Sequence, residues 1–111
     1  MNNDDQQALQ KIYNHLDLVI LYSGDCKSLD DFQSKSMTTD ACVFNLMQIG
    51  ELAKMKLSKE VKMQTKAIPW EKIIGLRNRI AHDYSGVDMC KIWDVIQNDL
   101  TPLKKELEKF L

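Results

Sequence analysis

The sequence predicts an all-α protein, an up-and-down bundle of four main helices with one or two short ones. Three observations carry that prediction. Apolar residues recur at steps of three and four along most of the chain, the spacing that lines one face of a helix. No segment alternates apolar and polar residues as a half-buried strand would. Breakers are scarce, with four Gly and two Pro in 111 residues.

The first helix is expected from about Asp4 to Ser23. Asp4 and Asp5 suit its first turn, where carboxylates accept from free N–H groups and favour the positive end of the dipole. Leu9, Ile12, Leu16 and Val19 form its stripe, widened by Tyr13 and Ile20. Gly24 fits a left-handed residue closing the helix. A short helix is expected over Ser28 to Lys35, with Ser28 and Asp31 placed like a capping box. Thr38, Thr39 and Asp40 then offer caps for a longer helix ending near Lys56. Cys42, Leu46, Ile49 and Ala53 make one stripe, flanked by Val43, Phe44, Met47 and Leu52. Being apolar over much of its circumference, this helix is placed centrally. Gly50 in its middle costs about 1 kcal/mol relative to Ala, a cost that a close helix–helix approach would explain.

Leu57 to Ala67 is polar and weakly patterned, with Ser58 able to cap a short helix. Pro69 stands at the expected first position of the next helix. Ile73, Ile74, Leu76 and Ile80 give that helix its apolar side. Ser85-Gly86 ends it, and Asp88 opens the last helix. There Met89, Trp93, Ile96, Leu100, Leu103, Leu107 and Phe110 alternate steps of four and three, a heptad seam. The seam fits an internal core or a dimer equally well. Pro102 lies inside it and predicts a kink rather than a restart, because the stripe keeps its phase.

The length suits one domain spanning residues 1–111. Net charge is −1, so no global positive field attracts nucleic acid, and any such binding must be local. Cys26, Cys42 and Cys90 are odd in number and widely spaced, which fits buried free thiols better than a disulfide framework or a zinc site. The six Met read as core gap-fillers, Trp70 and Trp93 as core or interface anchors, and His15 as a surface residue. No signal-peptide pattern opens the chain and no apolar run is long enough to span a bilayer. These features predict a soluble, cytoplasmic protein with no membrane partner.

A dense polar cluster closes the helix that starts at Pro69: Arg77, Asn78, Arg79, His82, Asp83 and Tyr84. Asn78 and His82 are four apart and share a face, where an amide could fix the imidazole tautomer. Arg77 and His82 are about 140° apart on an ideal helix. Tyr84, seven on from Arg77, returns to its side if the helix persists that far. Arg offers a forked donor for phosphate. His exchanges a proton near neutral pH. Together these groups suit phosphodiester chemistry, and two chains meeting at a symmetric interface would supply the base, the acid and the positive charge that RNA cleavage needs. No carboxylate cluster suits a metal, so the expected reaction uses no metal and no cofactor. The same residues also fit a helix end satisfied by His and a solvated Arg-Asn-Arg face.

Arg77, four residues, His82, one residue and Tyr84 form an R-x4-H-x-Y string that resembles the motif of HepT-like toxins in the HEPN superfamily. Ile49-Gly50-Glu51, Ile68-Pro69-Trp70, Ile74-Gly75-Leu76-Arg77-Asn78, Val87-Asp88 and Ile92-Trp93 resemble the family's flanking signatures, over about residues 5 to 110. The resemblance implies a HEPN-like all-helical homodimer acting as a ribonuclease toxin of a HepT/MntA-type (type VII) toxin–antitoxin system. It implies that Arg77 binds the scissile phosphate of an RNA substrate, that His82 transfers protons, and that Asn78 positions one or both. It further implies a minimal nucleotidyltransferase antitoxin, MntA-like, that neutralises the toxin by AMPylation of Tyr84. Two other readings stay open: a non-catalytic helical partner of such a nucleotidyltransferase that binds nucleotide or phosphate, and a purely structural dimerisation module. Glu51, in a largely apolar helix, is read as structural or as supporting the motif.

Overall fold

The computed structural model describes residues 1–111 as seven α-helices with no strand. They are α1 (Asn3–Ser23), α2 (Leu29–Ser34), α3 (Ser36–Met55), α4 (Lys59–Gln64), α5 (Trp70–His82), α6 (Met89–Asn98) and α7 (Leu100–Glu108), with a 3-10 turn at Tyr84–Gly86. The expected all-α bundle is present, with α2 and α4 as its two short helices. Helix α3 is central, packed against α1, α5 and the short α2. Its buried stripe of Cys42, Leu46, Ile49 and Ala53 explains that position.

Several ends differ from the sequence-based expectation. Asn2, not an aspartate, caps α1 by accepting from the Asp5 N–H. Gly24 is right-handed, with φ −62°, so the chain leaves α1 without a left-handed residue. Helix α3 starts at Ser36, ahead of the three residues expected to cap it. Thr39 lies inside it, and its hydroxyl donates to the Phe32 carbonyl of α2. Ser28 caps α2, but Asp31 reaches back to the Lys27 N–H rather than to that of Ser28.

The C-terminal seam is internal. Ile96, Leu100, Leu103 and Leu107 are buried, and Trp93 packs on Phe32 of α2 with ring centroids 5.3 Å apart. The expected single kinked helix is divided at Asp99, which keeps a right-handed backbone at φ −104°. Pro102 has no N–H to return to the Asn98 carbonyl and its ring crowds that carbonyl, so the ladder breaks just upstream of the proline.

Other expectations are corrected by long-range contacts. His15 is half-buried, its Nδ1 2.7 Å from the amide oxygen of buried Asn45. Cys26 and Cys42 are buried but Cys90 is exposed. Met37, Met55 and Met63 are exposed rather than filling the core.

Asp5 ties the N-terminus to α4. Its carboxylate accepts from the Ser58 N–H and hydroxyl, both at 2.9 Å, and Ser58 caps α4 by accepting from the Val61 N–H. The Ser58 backbone N–H is the main reason the buried Asp5 carboxyl lies below its ordinary value of 3.8. A carboxyl depressed in the folded state stabilises the fold above its unfolded value and loses that effect as pH falls through the folded one. Asp5→Ala should therefore cost about 2 kcal/mol at neutral pH, the scale of hydrogen bonds to a charged group. In urea titrations the gap to wild type should close as pH drops below 3.8; a gap independent of pH would refute this role.

Candidate functional site

The site is built where α5 crosses α3. Trp70, buried at the first position of α5, donates its indole N–H to the Thr65 hydroxyl at 2.8 Å, and that hydroxyl donates to the Val61 carbonyl. The start of α5 is thus tied to α4. Pro69 precedes the helix as its cap residue, one position earlier than expected. Ile80 is buried, while Ile73, Ile74 and Leu76 are half-buried against the core. The helices meet at Gly50: a Cβ there would lie 2.2 Å from the Arg77 Cβ and 3.0 Å from the Ile73 carbonyl oxygen. Glycine at this position is a requirement of close approach, and it sets Arg77 against α3.

Glu51, the next residue on α3, receives Arg77. The Glu51 Oε2 accepts from Nε at 2.7 Å and from Nη2 at 2.6 Å. Arg77 Nη1 donates to the Asn78 amide oxygen at 2.9 Å. Asn78 therefore pairs with its neighbour Arg77, not with His82 as the four-residue spacing suggested. A guanidinium has five N–H donors, so these three bonds leave two unused. Arg77 is 23% exposed at its side chain and Glu51 41%. The arginine is fixed in orientation yet open to solvent.

His82 is the last residue of α5. It is exposed, and its side chain makes no hydrogen bond within the chain. Its distance in angle from Arg77 around α5 means that one chain presents the two groups on different sides of the helix.

The helix does not persist to Tyr84. Asp83 turns extended at φ −156°, and its carboxylate accepts from the Gly86 N–H and the Ser85 hydroxyl, both at 3.0 Å. A Cβ on Gly86 would come within 2.2 Å of that carboxylate, so a side chain there would have to push the Asp83 cap aside. The Asp83–Gly86 spacing is the signal that could have located this stop. Tyr84 reaches back to α3 all the same, by donating its hydroxyl to the Asp40 carboxylate. Partial burial, then the hydrogen bond and the negative charge of Asp40, push the hydroxyl up to about 12. The sequence suggests only a helix cap for Asp40.

Arg77 and Tyr84 thus both anchor on α3, on Glu51 and Asp40. The same face carries Met37, Phe44 and Met55, which are 86%, 53% and 63% exposed. No group of three or more His, Cys, Asp or Glu side chains is placed to hold a metal ion. No helix is long and apolar enough to cross a membrane.

A family model described as "Ribonuclease HepT-like" matches residues 6–110. A protein of Caldanaerobacter subterraneus subsp. tengcongensis named "Putative RNase" is 34% identical over 76% of this chain and 74% of its own. "Probable ribonuclease HepT" of Thermococcus cleftensis is 27% identical over 98% of this chain and 97% of its own. A longer protein of Methanocaldococcus jannaschii, named "Gamma-glutamylcyclotransferase and putative RNase", is 31% identical over the whole of this chain, which spans 49% of that protein. No solved structure matches.

Proposed function

Because the chain belongs to the HepT-like ribonuclease family, we propose that it is a metal-independent endoribonuclease whose site is assembled from two copies of the chain. The observation that carries this reading is Arg77, held on two edges by Glu51 and Asn78 with two donors left free. A phosphate meeting those donors finds a fork already oriented, so little side-chain freedom is lost on binding. His82 has no internal partner and is free to exchange a proton with the 2′-hydroxyl or the leaving 5′-oxygen. Attack by the 2′-oxygen forms the new P–O bond, the bond to the 5′-oxygen breaks, and the proton lost by one oxygen is matched by the proton gained by the other. Since Arg77 and His82 diverge around α5, a partner chain completes the set. The exposed apolar residues of α3, Phe44 above all, support a homodimer through the face that bears Glu51, since large exposed apolar patches mark interaction surfaces.

The test is cleavage of RNA by the purified protein with and without a chelator, with the solution mass determined alongside. Equal activity in both conditions, products ending in a cyclic phosphate, and a mass of two chains are expected. Binding of RNA without cleavage would favour the non-catalytic reading.

Regulation follows from the same face. As the toxin of a toxin–antitoxin pair, the chain is neutralised by a minimal nucleotidyltransferase that adds AMP to Tyr84. The tyrosine oxygen bonds to the α-phosphorus of ATP, the bond to pyrophosphate breaks, and the hydroxyl proton is lost. At neutral pH the Tyr84 hydroxyl keeps its proton until attack, and Asp40 lies in contact to receive it. The added phosphate and base would obstruct the cleft and repel RNA. On co-expression with such an enzyme, Tyr84→Phe should abolish the added AMP mass and leave RNA cleavage intact. Undiminished AMP on the Phe variant would move the modification elsewhere.

A further inference from the structure

We propose that the end of the bundle formed by the last turn of α3 and by α4 is the surface along which the RNA strand runs once it leaves Arg77, held through its phosphates by Lys54, Lys56 and Lys59. The proposal rests on the ribonuclease reading above. Residues 54–66 hold five lysines, Lys54, Lys56, Lys59, Lys62 and Lys66, against one carboxylate, Glu60. This stretch carries +4 in a chain of net charge −1, so the remaining residues together carry −5. A polyanion therefore meets attraction at this end and, on average, repulsion elsewhere.

Packing explains why the lysines stay in solvent. Ala53, Leu57, Val61, Thr65 and Ile68 are buried at steps of four and three, so the positions between them turn outward. Lys54, Lys56, Lys59 and Lys66 are exposed, and Lys62 is half-buried. The backbone beneath them is tied down at both ends of α4. Asp5 holds the Ser58 N–H and hydroxyl, and Trp70 holds the Thr65 hydroxyl. None of the five lysines spends its charge inside the molecule. Those that form ion pairs are Lys35, Lys72, Lys104 and Lys109, all outside this stretch. Opposing carboxylates are few. Asp5 is buried and occupied by Ser58, which leaves Glu60 and Asp4. Asp4 shares a groove of about 360 Å³ with Lys11, Lys56 and Met55, so there too cations outnumber carboxylates.

Position joins this surface to Arg77. Glu51, which orients Arg77, is on α3, and Met55 stands four residues on, over the same face. Lys54 and Lys56 flank Met55, about 100° to either side. The rise from Glu51 to Lys56 is about 7.5 Å, so a strand whose scissile phosphate rests on Arg77 reaches these lysines within its next few nucleotides. Met55 and Met63, 63% and 66% exposed, stand among the lysines and give the bases an adaptable apolar surface. Charge alone would suit an anionic membrane as well; continuity with the phosphate-binding arginine selects RNA.

The test measures binding of a 2′-O-methyl RNA oligonucleotide, which cannot be cut, to the full chain over a range of salt. The triple variant Lys54→Gln, Lys56→Gln, Lys59→Gln alters only exposed side chains, and circular dichroism checks its fold. It should lower the slope of log affinity against log salt by about 2, at about 0.7 for each phosphate contact on a single strand. A control triple, Lys27→Gln, Lys91→Gln, Lys105→Gln, removes the same charge from exposed positions elsewhere and should leave the slope at the wild-type value. Lys54→Arg, Lys56→Arg, Lys59→Arg keeps the charge in place and should keep the slope. An unchanged slope in the Lys54, Lys56, Lys59 glutamine triple would overturn the proposal. Equal losses in both glutamine triples would overturn it too, by assigning the effect to net charge rather than to place. Binding to vesicles of anionic lipid that the first triple abolishes, with its RNA slope intact, would assign the surface to a membrane and overturn it equally. Should wild type neither bind nor cut RNA, the ribonuclease reading fails first. Should wild type do both and the first triple match it, only this surface falls.

Discussion

Arg77→Ala should lower the rate of RNA cleavage at saturating substrate by about 10²–10³-fold, the usual effect of removing one donor aimed at transition-state charge. The fold should survive the change. The Arg77–Glu51 pair is partly solvated, so its contribution to stability falls near the 0–1 kcal/mol of surface ion pairs, and the carboxylate left behind is hydrated. Arg77→Lys separates charge from shape. It retains a positive group but not the planar fork that Glu51 and Asn78 hold on two edges, so it should restore only part of the lost rate. Single-turnover cleavage with circular dichroism as the fold control makes the measurement. Equal cutting by wild type and Arg77→Ala would mean that the activity does not come from this site.

Gly50→Ala should be the most damaging change of a single methyl group. The new Cβ would stand 2.2 Å from the Arg77 Cβ, against an ordinary carbon–carbon contact of about 3.5–4.0 Å. The obstacle is not a flexible tip but an atom fixed by the backbone, with the Ile73 carbonyl 3.0 Å away behind it. Helix α5 must therefore move. Overpacking of this kind costs about 1–3 kcal/mol, and alanine's better helix propensity returns about 1 kcal/mol, so denaturant unfolding should show a modest net loss. Catalysis should fall further than stability does. Displacing the guanidinium by an ångström is enough for about a 10²-fold loss in rate. Comparison with Gly75→Ala, a change of the same size on the same helix pair, shows whether the contact or the propensity decides. If Gly50→Ala keeps full stability and activity, the close approach at this crossing is not what orients Arg77.

Much of the scaffold was legible because its signals are local. The stripe of Leu9, Ile12, Leu16 and Val19 on α1, the C-terminal seam, and the caps Ser28, Ser58 and Asp88 all reside within a turn or two of sequence. The sequence offered a close approach only as an explanation for Gly50; the crossing itself and the side chain it admits came from the structure. The site was less legible because its bonds are either shorter or longer than helical spacing. Asn78 satisfies Arg77, its immediate neighbour, since a long arginine folds along its own helix to reach it, and the four-residue partner His82 goes without. Tyr84 finds Asp40, and Arg77 finds Glu51, across separations of 44 and 26 residues that no periodicity encodes. His15 misled for the same reason, since its partner Asn45 stands 30 residues away. The helix stop at Asp83 was present as an Asp-x-x-Gly turn but was masked by reading the acidic residue as part of the polar cluster.

The placement of Tyr84 on a three-residue turn, after α5 has ended, has a thermodynamic consequence. Its connections to the rest of the molecule are the Asp83 cap, the backbone bonds from the Gly86 and Val87 N–H groups to the Asp83 and Tyr84 carbonyls, and one bond to Asp40, whereas Arg77 is embedded in the packed crossing of α3 and α5. Opening the turn thus breaks only these local contacts and leaves the core ladder intact, a sub-global event whose free energy lies below that of unfolding. Under the proposed AMPylation, the modifying enzyme would need to supply only that small opening free energy. The proposed silencing would then be uncoupled from structural integrity: the turn at the margin would open on the timescale of loop motion without loosening the helix that holds the arginine.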